Sequence, residues 1–250
     1  MIIEYAAKVD IGRNTANDDR LLVHDLVLDS GTSYGSVEAP NAIAVCDGCG
    51  GYIGGGYAAE LVLKTLASEN KTDLLNEDSL RKSIDKCQNK LIDKQKELPE
   101  YSQMCTTIAG CIIGEDRTVI FHSGDSRVYR LNKWGIAQMT LDHSFVQQLI
   151  SAGKISDDEA KIHPRRNVIN RCLGIDKYSP DIYIVNKPFD FGEKYIVCTD
   201  GLWEYIDDRD FESVLTNGTS LRDMTDKLVE TALRNGCDDN LSVCICSALN

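Results

Sequence analysis

Nine short apolar or alternating runs set the tightest limit on what this chain can fold into. They lie at 2–9, 20–25, 42–46, 106–113, 118–122, 127–131, 181–186, 194–199 and 241–247. Most alternate or are rich in Ile and Val, as half-buried or buried strands are. They come in clusters and do not alternate steadily with helices. Helical spacing is confined to 57–68 (Ala58, Leu61, Val62, Leu66), 78–97 (Leu80, Ile84, Cys87, Leu91) and 220–234 (Leu221, Met224, Leu228, Ala232). A shorter pair, near 143–152 and 156–161, is split by Gly153. The pattern predicts an α+β fold on an antiparallel sheet or sandwich and argues against a doubly wound parallel fold. "FHSGDSRVYRL" (121–131) predicts a hairpin with Gly124 and Asp125 at its turn. No repeat or low-complexity linker divides the chain, so a single domain over 1–250 is the simplest account.

Composition narrows the function classes. The 27 Lys and Arg against 39 Asp and Glu give a net charge of −12, with no basic block. That argues against nucleic acid or an anionic membrane as a partner. Met1 leads directly into the strand-like "IIEYAAKVD". We find no signal peptide and no apolar run near the roughly 18 residues that cross a membrane. Ten cysteines in such a chain predict reduced thiols in a cytoplasm. Cys111, Cys198, Cys244 and Cys246 fall inside apolar strands, where a thiol acts as a small hydrophobe.

The stretch "AVCDGCGGYIGGG" (44–56) admits three readings. A redox dithiol would need Cys46 at a helix N-terminus, but Cys46 lies in an apolar strand and Asp47 would raise its pKa. A structural zinc site wants a second close pair of Cys or His, and Cys244-x-Cys246 reads better as one face of a strand. Neither GxGxxG nor GxxxxGK[ST] can be laid over 48–56, so a nucleotide phosphate loop fails on spacing. The remaining reading is a strand that ends in one carboxylate and one bare carbonyl. Other aspartates share that kind of position: Asp18 and Asp19 before a strand, Asp200 after one, Asp238 and Asp239 before the last, and Asp125 in the expected hairpin turn. Each alone is an ordinary turn residue. Delivered to one rim of a sheet, they would repel one another and need a cation. Carboxylate, carbonyl and water are the ligands that Mg²⁺ or Mn²⁺ prefers.

Eight motifs then occur in order: "NDDR" (17–20), "DGCGG" (47–51), "CTTIAG" (105–110), "SGDSRVYRL" (123–131), "LDHSFVQQLISAGKIS" (141–156), "NVINRCLG" (167–174), "CTDGLWEYI" (198–206) and "DDNLSV" (238–243). Together they resemble the metal-dependent protein phosphatases, the protein phosphatase 2C family, over about residues 1–248. The resemblance implies a central sandwich of two antiparallel β-sheets flanked by antiparallel α-helices, with a metal site at one end. It also implies a flap at about 142–174, of the bacterial type. By motif position Asp47 would bridge two ions and the Gly48 carbonyl would bind one of them. Asp200 and Asp239 would complete the first ion's shell, while Asp19, with Asp18, would hold the second. Asp125 matches the place of a third, weaker ion.

The implied activity is hydrolysis of phosphoserine and phosphothreonine in proteins. A hydroxide held by Mn²⁺ or Mg²⁺ attacks phosphorus directly, and no phosphoenzyme forms. A cognate serine/threonine kinase is an expected partner, and a monomer the expected state. Arg13 is the candidate phosphate clamp, although three residues separate it from Asn17 where two are usual. Cys49 replaces a histidine found in many eukaryotic members, which leaves the general acid unassigned; His122, His143 and His163 read as structural or surface residues. The rival reading is a catalytically inactive phosphatase-like module that binds phosphoproteins. Loss of a bridging aspartate would signal it, and Asp19, Asp47, Asp200 and Asp239 are all present.

Overall fold

The computed structural model describes residues 1–49 and 53–249. The strands are β1 (Ile2–Asp10), β2 (Arg20–Val23), β3 (Leu26–Leu28), β4 (Gly31–Glu38), β5 (Asn41–Cys46) and β6 (Ile108–Ile113). The remainder are β7 (Thr118–Ser123), β8 (Arg127–Asn132), β9 (Gly135–Gln138), β10 (Asp181–Val185), β11 (Lys194–Cys198) and β12 (Leu241–Leu249). The helices are α1 (Gly55–Ala67), α2 (Glu77–Glu97), α3 (Phe145–Ser151), α4 (Asp157–Lys161), α5 (Asp200–Trp203), α6 (Asp208–Asn217) and α7 (Leu221–Arg234). Two six-stranded sheets form, in the orders β4-β1-β12-β11-β8-β9 and β10-β7-β6-β5-β2-β3. Neighbours within each are antiparallel, which gives the expected α+β sandwich.

Side-chain alternation sorts three cores. Along β5, Ile43 and Val45 face the other sheet among Ala7, Val128, Val197 and Cys244. Ala42, Ala44 and Cys46 face outward under α1 and α2, against Val62, Leu66, Ile84 and Leu91. Both faces of β5 are therefore covered, and its six residues are buried throughout. On the far side of the sandwich α7 lays Leu221, Met224, Leu228 and Ala232 over Ile196, Val243 and Ile245. Capping fixes where these helices begin. Asn76 accepts the Ser79 N–H at the start of α2, and Ser220 accepts the Asp223 N–H at the start of α7.

One expectation is overturned. Residues 121–131 do not form a hairpin, because β7 pairs with β6 and β10 in one sheet while β8 pairs with β11 and β9 in the other. The chain crosses between the layers at Gly124–Ser126, so Asp125 sits in a sheet-to-sheet crossing. The glycine serves a close approach there. At φ 128°, a Cβ on Gly124 would lie 2.6 Å from the Thr107 side chain. Strands β3, β4 and β9 and helices α5 and α6 escaped the sequence reading. β4 is an edge strand of mostly exposed Gly, Ser and Thr, and α6 buries only Phe211 and Leu215. Neither carries a strong apolar period.

Candidate metal centre

Strand register brings the carboxylates to one rim. Arg20 pairs with Cys46, which sets Asp19 beside Asp47 one step beyond the paired ends of β2 and β5. In the other sheet Cys198 pairs with Val243 on one side and Arg127 on the other. Asp200 therefore lies between the approach to β12, which carries Asp239, and the approach to β8, which carries Asp125. Asp19 and Asp125 are buried, Asp47 and Asp200 half-buried, and Asp239 exposed.

Their electrostatics report the crowding. Burial and then the negative charges of Asp200, Asp19, Asp125 and Asp239 push the Asp47 carboxyl well above the usual range. Asp200 is raised likewise by burial, then by Asp125 and Asp239. Burial lifts Asp19 to about 7, against a hydrogen bond from Thr199 that favours its ionised form. Burial and the neighbouring Asp142 lift Asp125 to about 7. Carboxylates so placed are unstable as anions without a cation, and all the donors are oxygen. The residues present fit Mg²⁺ or Mn²⁺.

Several residues that sequence reasoning left without a role hold this geometry. The Asp47 carbonyl accepts from the Thr106 hydroxyl (2.8 Å) and the Thr107 N–H (2.8 Å), and the Asp47 N–H donates to the Thr107 hydroxyl (3.0 Å). Thr107 in turn meets the Ser126 hydroxyl at 2.7 Å, which ties Asp47 to the Asp125 crossing. Thr199 donates to Asp19 Oδ2 (2.8 Å) while accepting the Ser242 N–H (2.9 Å). Asn240 clasps the loop after β1: its amide donates to the Ile11 and Ala16 carbonyls, and its Oδ1 accepts the Asp18 N–H (2.8 Å). Thr106, Thr107, Thr199 and Asn240 all lie inside the quoted motifs, beside the aspartates. That adjacency was the only signal for them.

Backbone contact explains two glycines. A Cβ on Gly48 would come within 2.3 Å of the Gly55 backbone, and one on Gly201 within 2.0 Å of the Asn240 carbonyl. Gly48 is held from below by its N–H bond to the Asp18 carbonyl (3.2 Å). One Asp18 carboxylate oxygen is already used, accepting the Gly56 N–H (2.8 Å) in the first turn of α1. Gly50 and Gly51 of the "DGCGG" motif lie outside the described residues.

Arg13 is exposed, on a loop whose neighbours both touch Asp239. Gly12 packs against the Asp239 carbonyl, so closely that a Cβ there would lie 2.1 Å from it, and Asn14 donates to Asp239 Oδ1 (3.3 Å). Arg20, which opens β2 after this loop, is committed to the Asn17 and Asp19 carbonyls. Cys46 and Cys49 are not partners. Cys46 is buried under α1, whereas Cys49 Sγ lies 3.8 Å from Cys172 Sγ. His122 and His143 stack with centroids 4.4 Å apart, and His143 is hydrogen-bonded to Asp181.

Residues 7–148 match the family profile described as Protein phosphatase 2C. The chain is 30% identical over 222 residues to serine/threonine phosphatase stp of Listeria monocytogenes, covering 86% of this chain and 87% of that one. It is 30% identical over 255 residues to serine/threonine protein phosphatase PstP of Mycobacterium tuberculosis, covering 100% of this chain and 46% of that one. The crystal structure of M. tuberculosis PstP/Ppp superposes with a TM-score of 0.85 at 28% identity, each chain being covered in full. The catalytic domain of PstP in complex with two manganese ions superposes with a TM-score of 0.82 at 27% identity, over 100% of this chain and 99% of that one.

Proposed function

This chain belongs to the protein phosphatase 2C family, a serine/threonine phosphatase dependent on Mn²⁺ or Mg²⁺, and on that premise we propose which of its residues do the work. The observation that carries the reading is the convergence of strand-end carboxylates from both sheets on one rim, each raising the pKa of the next. Asp47 would contribute to holding both ions, and the Gly48 carbonyl with Asp200 and Asp239 would hold one of them. Asp19 with Asp18 would hold the other, and Asp125 a third, weaker one. When bound, the ions supply Lewis acidity toward the phosphoryl oxygens and an activated water.

The chain's own residues set the geometry. Thr106 and Thr107 clamp the Asp47 backbone and so fix where its side chain starts on the rim. Thr199 holds Asp19 Oδ2 through its hydroxyl. Arg13 forks across the phosphate oxygens of the incoming phosphoserine or phosphothreonine. Residues 142–174 form the flap of a single domain spanning 1–250. It is anchored at its end by reciprocal Thr106–Leu173 backbone bonds of 3.0 and 2.9 Å, and α3 within it buries no side chain. Among the described residues no helix is long and apolar enough to cross a membrane. We place the protein in the cytoplasm as a monomer opposing a serine/threonine kinase.

A single turnover of a phosphothreonine peptide in heavy-oxygen water tests the reaction. One solvent oxygen should enter the released phosphate, and no labelled protein should be trapped on quenching. A covalent phosphoenzyme would overturn the direct mechanism. Arg13→Ala tests the clamp. We expect KM to rise about tenfold, with a smaller change in kcat, because a charge-assisted contact made in the ground state is lost. Unchanged kinetics would reduce Arg13 to a solvated loop residue.

A further inference from the structure

We propose that Cys49, Cys105 and Cys172 form a second metal site, a trithiolate nest for a thiophilic cation such as Zn²⁺, beside the oxygen-lined centre and chemically distinct from it. The three come from segments far apart in sequence: the loop after β5, the residues before β6, and the end of the flap. Their sulfur atoms all lie within 4.8 Å of one another, with Cys49 and Cys172 at 3.8 Å. Sulfurs about 2.3 Å from a tetrahedral zinc sit about 3.8 Å apart. The Cys49–Cys172 pair is thus already at coordination spacing, and closing the triangle moves the third sulfur by no more than about 1 Å.

Packing does not account for the cluster. Cys46 and Cys87 belong to the core under α1 and α2, Cys111, Cys244 and Cys246 to the core between the sheets, and Cys198 and Cys237 to the core under α7. Cys244 and Cys246 lie two apart on one strand inside the core between the sheets. Cys49, Cys105 and Cys172 belong to none of these cores, although Cys105 and Cys172 are only 4% and 2% exposed. Their backbones are held in place beforehand. The Cys49 N–H donates to the Cys105 carbonyl at 3.0 Å, and Thr106 and Leu173, the residues after Cys105 and Cys172, exchange both backbone bonds. Cys49 is half-buried, and water would supply the fourth ligand.

Donor chemistry keeps the two sites apart. Thiolates select Zn²⁺ or Cu⁺, and the carboxylate rim selects Mn²⁺ or Mg²⁺. On binding, the thiols release their protons to solvent and the sulfurs bond the cation, with no change of oxidation state. An ion there would tie the end of the flap to the loop that carries Asp47 and Gly48.

Cobalt titration of the reduced, chelator-treated full chain tests this. Co²⁺ should give intense tetrahedral visible bands with sulfur-to-metal charge transfer in the near ultraviolet, saturating with one equivalent and displaced by Zn²⁺. Cys105→Ser and Cys172→Ser should each abolish the charge-transfer band. On the unmutated Zn²⁺-loaded chain, X-ray absorption should show three sulfurs at about 2.3 Å, a result that needs no variant to fold. Weak octahedral cobalt bands alone, charge transfer that survives in both variants, or a zinc shell of oxygen only would each overturn the site. Mn²⁺-dependent phosphate release is scored separately, so the trithiolate site and the phosphatase centre stand or fall independently.

Discussion

Asp47→Asn should lower kcat by at least about a thousandfold, on the order of 4 kcal/mol of transition-state stabilisation. The substitution keeps the shape of the side chain and the backbone bonds to Thr106 and Thr107, because those use the Asp47 main chain. What it removes is one negative charge at the position that Asp200, Asp19, Asp125 and Asp239 all surround. If Asp47 holds both ions as proposed, its loss should weaken both and the water they activate. Asp125 makes the contrast. It stands on the sheet crossing and is raised first by burial and then by Asp142, a residue outside the proposed ligand set. Asp125→Asn should keep two tight ions, slow turnover moderately and raise the Mn²⁺ concentration needed for half-maximal rate. Calorimetric stoichiometry and turnover on both variants decide the matter. Two tight ions with near-normal activity in Asp47→Asn would sink the assignment.

The difference between what was legible in the sequence and what was not follows from range. The sandwich was legible because β5, β6 and β12 are covered by packed layers and carry dense apolar runs, and because Leu80, Ile84, Cys87 and Leu91 repeat at helical spacing. The aspartates were legible because each sits in a short motif at a strand end. The Gly124-Asp125 signal misled because a glycine needed for contact with Thr107 looks, in one dimension, like a glycine needed for a tight turn. Pairing of β7 and β8 with strands of different sheets is a non-local fact that no local pattern encodes. The cysteine cluster was missed for the same reason. A search for close Cys pairs finds Cys46 with Cys49, and the fold instead gives Cys49 the partners Cys105 and Cys172.

Stripping the metal should reverse how stability responds to pH. In the metal-free chain Asp19 and Asp125 are raised by burial from 3.8 to about 7, and burial and neighbouring carboxylates also raise Asp47 and Asp200 well above the usual range. Between those limits the folded state holds more protons than the unfolded one. The stabilisation is therefore complete below the unfolded value of 3.8 and is lost as pH rises through the folded values. Each group can contribute at most about 1.4 kcal/mol per pH unit. The metal-free chain should therefore lose stability, and its Tm should fall, as pH rises from 5 to 8. Burial also depresses His122, to about 4, and His143, which tilts the curve the other way below pH 6.5. Those histidines are common to both forms, so the difference between chelated and Mn²⁺-loaded protein isolates the carboxylates. Mn²⁺ binds the ionised carboxylates, and its stabilisation should grow as pH rises. Calorimetric melts at pH 5, 6, 7 and 8, with EDTA or with Mn²⁺, should give curves that diverge toward alkaline pH, with phosphate release only in the Mn²⁺ series. Parallel melting curves would mean that these carboxylates do not share a cation, whatever their place in the fold.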